Sequence, residues 1–170
     1  AQEILRMAIA DRAKEVREAA ATAIRTVPES LRPAYETLLQ DSSYAIIETA
    51  LRKLCEQYPA NVARYRTATK DVLGMGHNVR IANLEMGIVA NDRRARTELA
   101  LLISNRHEFR TRTGALQAIQ RLNWLDTEVL PYVIEAYLSP NRRLGGTAGG
   151  VLKHFWAQHS MRPLIRNYYN

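Results

Sequence analysis

The sequence predicts an all-α fold in which consecutive helix pairs form an α-α superhelix. A segment with a polar start, an apolar anchor and small residues on one helical face recurs five times along the 170 residues. Its apolar anchors are 30, 33, 30 and 35 residues apart, at Val16, Ile46, Val79, Phe109 and Leu144. That period accommodates two helices of about 12–15 residues with short turns, which is typical of a helical repeat.

The boundaries of the repeats are marked by polar residues and prolines. The second helix of a pair is expected to begin after a polar cap, for which the candidates are Asp11, Asp41, Asn105 and Ser139. Prolines stop or start helices, and three stand at predicted boundaries: Pro28, Pro59 and Pro163.

About eleven helices follow from the 3.6-residue spacing of the apolar positions. In the second copy, Ile46, Ala50 and Leu54 share a face. The predicted helices span 2–10, 13–27, 29–40, 43–58, 60–72, 78–90, 92–104, 107–122, 126–138, 142–157 and 160–168. Because no segment alternates like a strand, residues 1–170 are interpreted as a single helical-repeat domain.

The composition indicates a soluble folded protein with no membrane span. Apolar residues make up 46% of the chain, yet no apolar run approaches the roughly 20 residues that a spanning helix needs. The segment beginning at Ala1 lacks an initiator methionine and already has a helical pattern, so we expect a piece of a longer chain. The one cysteine, Cys55, cannot form an internal disulfide and is predicted to be a buried apolar residue, which leaves the compartment open.

The positive charge is concentrated in the second half. Residues 1–85 contain 12 Lys/Arg and 11 Asp/Glu, whereas residues 86–170 contain 12 and 6. Arginine outnumbers lysine 20 to 4. Arginine binds carboxylates and phosphates in planar, bidentate geometry, so this bias suits structural ion pairs, an anionic ligand or nucleic acid without choosing among them.

Arginines near the starts of three predicted helices are the candidate site for an anionic ligand or a partner. They are Arg93, Arg94 and Arg96 in one helix, Arg106, Arg110 and Arg112 around the next, and Arg142 and Arg143 in a third. Equivalent positions of successive repeats lie on one edge, so we expect a basic ridge of Arg106, Arg110, Arg142 and Arg143. The alternative is a solvated face that is partly neutralised by Asp92, Glu98, Glu108 and Glu135.

Nucleic-acid binding is the less favoured use of this ridge. It normally adds exposed aromatic residues or a recognisable module, and the tyrosines, such as Tyr35, Tyr132 and Tyr137, fall on amphipathic helices and are predicted to pack in the core. Protein is therefore the expected partner, with nucleic acid as the alternative.

No catalytic residue, metal ligand or cofactor site is predicted. His107-Glu108 begins like a zinc-protease helix, but that mechanism needs a second histidine at the fifth position, where Thr111 stands. His154 and His159 are five residues apart and so lie on different faces of a helix.

Two further segments have competing interpretations. Trp124 is predicted to fill space between repeats while Asp126 caps the next helix. The glycines of Gly145–Gly150 lie inside a predicted helix, at a combined cost of about 3–4 kcal/mol relative to alanine. Either the close approach of another backbone offsets that cost or the helix is locally irregular.

The pattern Asp-x-x-x-x-Val-Arg-x-x-Ala, at Asp11, Val16, Arg17 and Ala20, resembles HEAT repeats. The resemblance covers nearly the whole chain and implies a curved scaffold that presents a binding surface. The helix-pair length, the weaker consensus toward the end and the Tyr/Arg-rich stretch from Arg162 to Tyr169 look like the C-terminal HEAT-like domain of gluzincin zinc aminopeptidases.

That resemblance implies a non-catalytic domain that packs on and encloses a catalytic domain. Zinc and hydrolysis would belong to the missing catalytic domain, and basic residues of the helical domain can meet the carboxylate of a peptide substrate. Two alternatives stay open: a free-standing adaptor for protein partners, and a DNA-binding module. Trp124, Asp126 and Trp156 beside a basic half resemble the HEAT-like glycosylases that remove alkylated bases.

Overall fold

The computed structural model describes residues 2–168 and confirms the all-α prediction, with eleven α-helices and no strand in this range. The helices are α1 Gln2–Ile9, α2 Lys14–Ala23, α3 Arg32–Glu36, α4 Tyr44–Gln57, α5 Val62–Thr69, α6 Asn78–Val89, α7 Arg93–Ile103, α8 Phe109–Arg121, α9 Leu130–Tyr137, α10 Arg142–Trp156 and α11 Arg162–Asn167. The helix α3 continues as a short 3₁₀ segment, Thr37–Gln40. Tyr169, part of the Tyr/Arg-rich stretch, lies outside the described residues.

The chain divides into two compact units, Ala1–Asn91 and Asp92–Asn170. The first contains α1–α6 and the second α7–α11. Among residues 2–168, no helix is both long and apolar enough to cross a membrane.

In the first unit, α2, α4 and α6 lie side by side and run in the same direction. The amide of Asn78, at the start of α6, donates to Glu48 Oε2 in the first half of α4 at 2.8 Å. Further along both helices, Arg52 of α4 forms an ion pair with the buried Glu85 of α6. Contacts at two successive levels define the parallel direction of this pair of helices.

Side chains of α4 satisfy the C-terminal backbone of α2. Lys53 Nζ donates to the carbonyl of Ala21 at 2.7 Å and also to that of Ile24. Gln57 Nε2 donates to the carbonyl of Arg25 at 2.8 Å, and its Oε1 accepts the N–H of Val27 at 2.7 Å. The last carbonyls of a helix have no partner within the helix, so these bonds bring α4 into register with α2.

An arginine–aspartate pair joins the first two copies of the repeat. Arg17 Nε and Nη2 lie 2.6 and 3.0 Å from the two carboxylate oxygens of Asp41, and Nη1 donates to the carbonyl of Asp11 at 2.9 Å. The hydrogen bond from Arg17 is the main cause of the lowered pKa of Asp41. Arg17 therefore connects the turn before α2, which contains Asp11, to the turn before α4, which contains Asp41.

The predicted roles of Asp11 and Asp41 as helix caps were wrong. Each carboxylate accepts the N–H two residues further on, from Ala13 at 2.7 Å and Ser43 at 2.8 Å, before α2 and α4 begin. Aspartate stabilises a turn in this way, and each of these turns lies before the first residue of its helix.

Three of the five repeat anchors are buried, whereas the other two are exposed. Ile46, Val79 and Leu144 are inaccessible to solvent, but Val16 and Phe109 are exposed. Phe109 is the first residue of α8, and the third position, which Leu144 occupies in α10, is filled by the buried Thr111. The repeat pattern of the sequence therefore places the anchor of α8 two residues too early.

The core of the first unit confirms two predicted packing residues. Tyr35 is fully buried and its hydroxyl donates to the carbonyl of Ala21 at 2.7 Å. Cys55 is buried as a free thiol, and desolvation raises its pKa to about 12. Cys55 is therefore protonated at neutral pH and behaves as a small apolar residue.

The second unit contains two antiparallel helix pairs whose second helices run parallel. Arg112, near the start of α8, donates to the carbonyl of Ile103 at the end of α7, so these two helices are antiparallel. At their C-terminal ends, α8 and α10 meet where Asn123 Oδ1 accepts from Gln158 at 2.6 Å and lies 3.1 Å from His154 Nε2. The N-terminal turns of α8 and α10 therefore lie at a common edge.

The glycines of α10 fall into two kinds. A Cβ on Gly145 would lie 3.1 Å from the carbonyl oxygen of Tyr137, and one on Gly149 would lie 3.3 Å from the ring of Tyr137. A Cβ on Gly146 or Gly150 would meet nothing within 4 Å. Close backbone approach therefore explains Gly145, side-chain packing explains Gly149, and neither explains the other two.

Removing the buried charge of Glu85 should destabilise the first unit. We expect Glu85→Gln to lower the free energy of unfolding by about 3 kcal/mol, because Arg52 would lose its buried partner. Chemical denaturation measures the change, with the exposed Glu15→Gln as control. A loss no larger than that of the control would contradict the role assigned to this ion pair.

The two kinds of glycine should respond oppositely to alanine. Gly146→Ala should raise the free energy of unfolding by about 1 kcal/mol, because the site is open and alanine favours helix. Gly145→Ala should lower it, since the new methyl group would press on the backbone of Tyr137. Thermal unfolding of both variants tests this, and a similar gain from both would show that α9 yields at the contact.

Candidate basic surface of the second unit

Two of the acidic side chains near the arginines, Asp92 and Glu108, are turned toward the backbone. Asp92 accepts the N–H of Arg94 at 3.0 Å and caps α7. Glu108 accepts the N–H groups of Arg110 and Thr111 at 2.7 and 2.8 Å and caps α8. Carboxylates used as caps satisfy N–H groups that have no partner within the helix.

The caps of α8 and α10 differ from the predicted Asn105 and Ser139. Glu108 caps α8, and Asn141 caps α10 by accepting from Arg143 N at 3.1 Å and Leu144 N at 3.2 Å. Desolvation raises the pKa of Glu108, but the hydrogen bonds from Arg110 and Thr111 outweigh it and hold the pKa below its ordinary value. Glu108 is thus an ionised cap, which is a structural role for the histidine–glutamate motif.

The structure brings together four of the eight candidate arginines. Arg110 lies in the first turn of α8, Arg142 and Arg143 lie in the first turn of α10, and Arg106 stands in the link before α8. Because α8 and α10 are parallel neighbours, their first turns lie at one edge of the unit. We call Arg106, Arg110, Arg142 and Arg143 the arginine edge.

Three candidates lie at the other end of the helices. Arg93, Arg94 and Arg96 belong to the start of α7, which is antiparallel to α8. The Arg96 guanidinium stacks over the ring of Trp124, 5.6 Å from its centroid, just beyond the C-terminal end of α8. This group is therefore separate from the arginine edge.

Arg112 is not a surface ligand, contrary to expectation. It is buried, with Nε donating to the carbonyl of Ile103 at 2.7 Å and Nη2 lying 3.7 Å from Glu135 Oε1. The sequence placed it near other helix-start arginines, but four residues after the cap the α8 backbone has turned this side chain toward α7 and α9. Arg112 is a packing residue that connects three helices.

The arginine edge is exposed and makes no ion pair among residues 2–168. Its four members are all solvent-accessible, and the ion pairs of the described chain do not include them. Of the acids expected to neutralise them, Glu108 caps α8 and Glu135 pairs with Arg112. Arginines in the first turn also meet the positive end of the helix dipole, so positive potential accumulates here.

Exposed apolar side chains stand beside the same arginines. Phe109, next to Arg110, is 37% exposed, and Leu138, in the link before α10, is 71% exposed. Tyr137, predicted to pack in the core, is about half exposed at the end of α9, with its ring beside Gly149. Sequence periodicity did not indicate that these three side chains are exposed. Each lies at a helix end, where the 3.6-residue spacing no longer shows which face is buried.

The Trp124–Asp126 pair is internally satisfied. Trp124 is buried and its Nε1 donates to Asp126 Oδ2 at 2.6 Å. The other oxygen, Oδ1, accepts the N–H groups of Glu128 and Val129 at 2.9 and 3.0 Å, in the turn that leads into α9. Both oxygens of the carboxylate are therefore engaged in local structure, whereas Trp156 lies exposed near the guanidinium groups of Arg162 and Arg166.

Residues 2–168 contain no cluster of three or more His, Cys, Asp or Glu side chains that could hold a metal ion. Comparisons of the chain with protein-family models, with curated proteins and with solved structures give no match.

Arginines that serve binding rather than packing should not contribute to the free energy of unfolding. We expect Arg110→Ala and Arg143→Ala each to raise the free energy of unfolding by about 0.3–1 kcal/mol, because each removes a cation from a helix N-terminus. Arg112→Ala should instead lower it by about 2 kcal/mol, since it leaves the Ile103 carbonyl without its partner. Chemical denaturation of the three variants measures this, and equal losses would assign all three arginines to packing.

Proposed function

We propose that this chain is a non-catalytic helical-repeat scaffold and that it serves as the C-terminal domain of a larger zinc metallo-aminopeptidase. On this proposal the helices pack on and enclose a catalytic domain that supplies the zinc and the hydrolysis. The resemblance to HEAT-like domains supports it, together with helix pairs whose second helices run parallel within each unit.

The observation that carries the scaffold proposal is the second apolar face of α1. Its inner face contributes the buried Ile9 to the core, with Leu5 and Ala8 packed against it. On the other side, Ile4 is 70% and Met7 is 67% exposed. Ile4 and Met7 lie one turn apart and form an exposed apolar pair, whereas the terminal units of helical repeats normally present polar outer faces.

The occupant of this α1 face is, on our proposal, the catalytic domain of the same protein. Covering a large aliphatic side chain contributes about 1.5–3 kcal/mol, so two such residues can hold a domain interface. A free-standing adaptor would use the same face to bind a separate protein.

The experiment compares the longest natural chain that contains this sequence with the 170-residue segment. We expect the longer chain to bind zinc and hydrolyse an aminoacyl p-nitroanilide, and the segment to do neither. We expect Ile4→Asp with Met7→Asp to increase proteolytic cleavage of the longer chain about tenfold or more, because the α1 face would no longer be covered.

Met75→Asp is the control, since Met75 is equally exposed in a loop outside α1. A longer chain without zinc-dependent hydrolysis would overturn the aminopeptidase assignment and favour the adaptor. Equal effects of the α1 variant and the control would overturn the scaffold interface itself.

A further inference from the structure

We propose that the arginine edge binds an extended acidic segment of a protein, with two carboxylates about three residues apart and an apolar side chain between them. This inference rests on the proposed scaffold function, because it names the partner of a second surface. It concerns the second unit only and is independent of the α1 face.

The binding groups of this edge are guanidinium side chains rather than backbone amides. Two N–H groups at the start of α8 are bound by Glu108, and two at the start of α10 by Asn141. An incoming anion therefore meets the exposed Arg106, Arg110, Arg142 and Arg143. Guanidinium groups favour bidentate pairing with carboxylates, and none of these four forms an ion pair within residues 2–168. The charge of Arg110 acts on the nearby Glu108, whose carboxylate oxygens are bound to the backbone of α8.

The spacing of the helices determines the spacing of the carboxylates. The arginines fall into two pairs, one at the start of α8 and one at the start of α10, and these helices pack directly against each other. Packed helices have axes about 8–10 Å apart. An extended chain advances about 3.3 Å per residue, so carboxylates about three residues apart reach one pair each.

Exposed apolar groups favour a protein segment over nucleic acid. Phe109 stands beside Arg110, and Leu138 and Tyr137 lie just before Arg142 in the chain. Aromatic residues and arginine are the side chains that contribute most at protein interfaces, usually around an apolar centre. A duplex presents charged phosphates along its outside and receives an apolar side chain such as Leu138 only at base edges or between base steps.

The test uses a short fluorescein-labelled peptide with two aspartates three residues apart and a leucine between them, in a glycine–serine background. Binding to the 170-residue protein is followed by fluorescence anisotropy at low salt. We expect Arg110→Glu with Arg143→Glu to weaken binding about tenfold or more, because both pairs lose an arginine and gain repulsion. Arg93→Glu with Arg94→Glu is the matched control, with the same charge change at the other end of the helices, and should change binding much less.

The apolar part of the proposal has its own variant. Leu138→Ser should weaken binding of the leucine peptide. It should leave unchanged the binding of a peptide in which serine replaces that leucine. Circular dichroism and thermal unfolding check that every variant is folded, and the edge variant should be no less stable than the original protein.

Three results would overturn the proposal. Equal weakening by the edge and control variants would show binding to net charge alone. Tighter binding of a charge-matched single-stranded or duplex DNA would assign the edge to nucleic acid. No binding of the peptide at low salt would remove the acidic partner, while the α1 experiment would still decide the scaffold function separately.

Discussion

The first unit depends on side chains of one helix that satisfy the backbone left unpaired at the end of its neighbour. Lys53 and Gln57 of α4 bind the carbonyls and an N–H that follow α2, and Arg17 joins the loops of two successive copies through Asp41. Apolar burial alone would let parallel helices slide along each other. Directional bonds to particular backbone atoms set the register, because a shift of one turn would leave several polar groups without partners.

In the second unit, acidic side chains satisfy backbone N–H groups and pair with a buried arginine. The charge of its surface follows from these contacts. Glu108 and Asp92 cap helices, Asp126 stabilises the turn before α9, and Glu135 pairs with the buried Arg112. Half as many acids as bases are present in this unit, so using carboxylates as caps leaves exposed arginines at the starts of α8 and α10. Electrostatic repulsion there is tolerable because water screens exposed charges, and it becomes favourable when an anionic partner arrives.

Several features could be predicted from the sequence because they depend on short-range periodicity. The eleven helices and the buried Cys55 and Tyr35 follow from the 3.6-residue spacing and the repeat length. The errors fall at helix ends. Phe109 and Tyr137 are exposed, Asp11 and Asp41 stabilise turns, and Arg112 is buried, because one residue more or less at a helix start rotates a side chain by about 100°.

By itself, the sequence determined the all-α class, the number of helices and the concentration of positive charge in the second half, since each depends on residue order alone. Only the tertiary structure decided which charged side chains are engaged in caps or ion pairs and which remain exposed. The capping role of Glu108 depends on where α8 begins, and the burial of Arg112 beside Glu135 depends on how α7 and α9 pack against α8. The exposed second face of α1 was likewise invisible in the pattern, because a spacing shows which residues share a face but not which faces another helix covers.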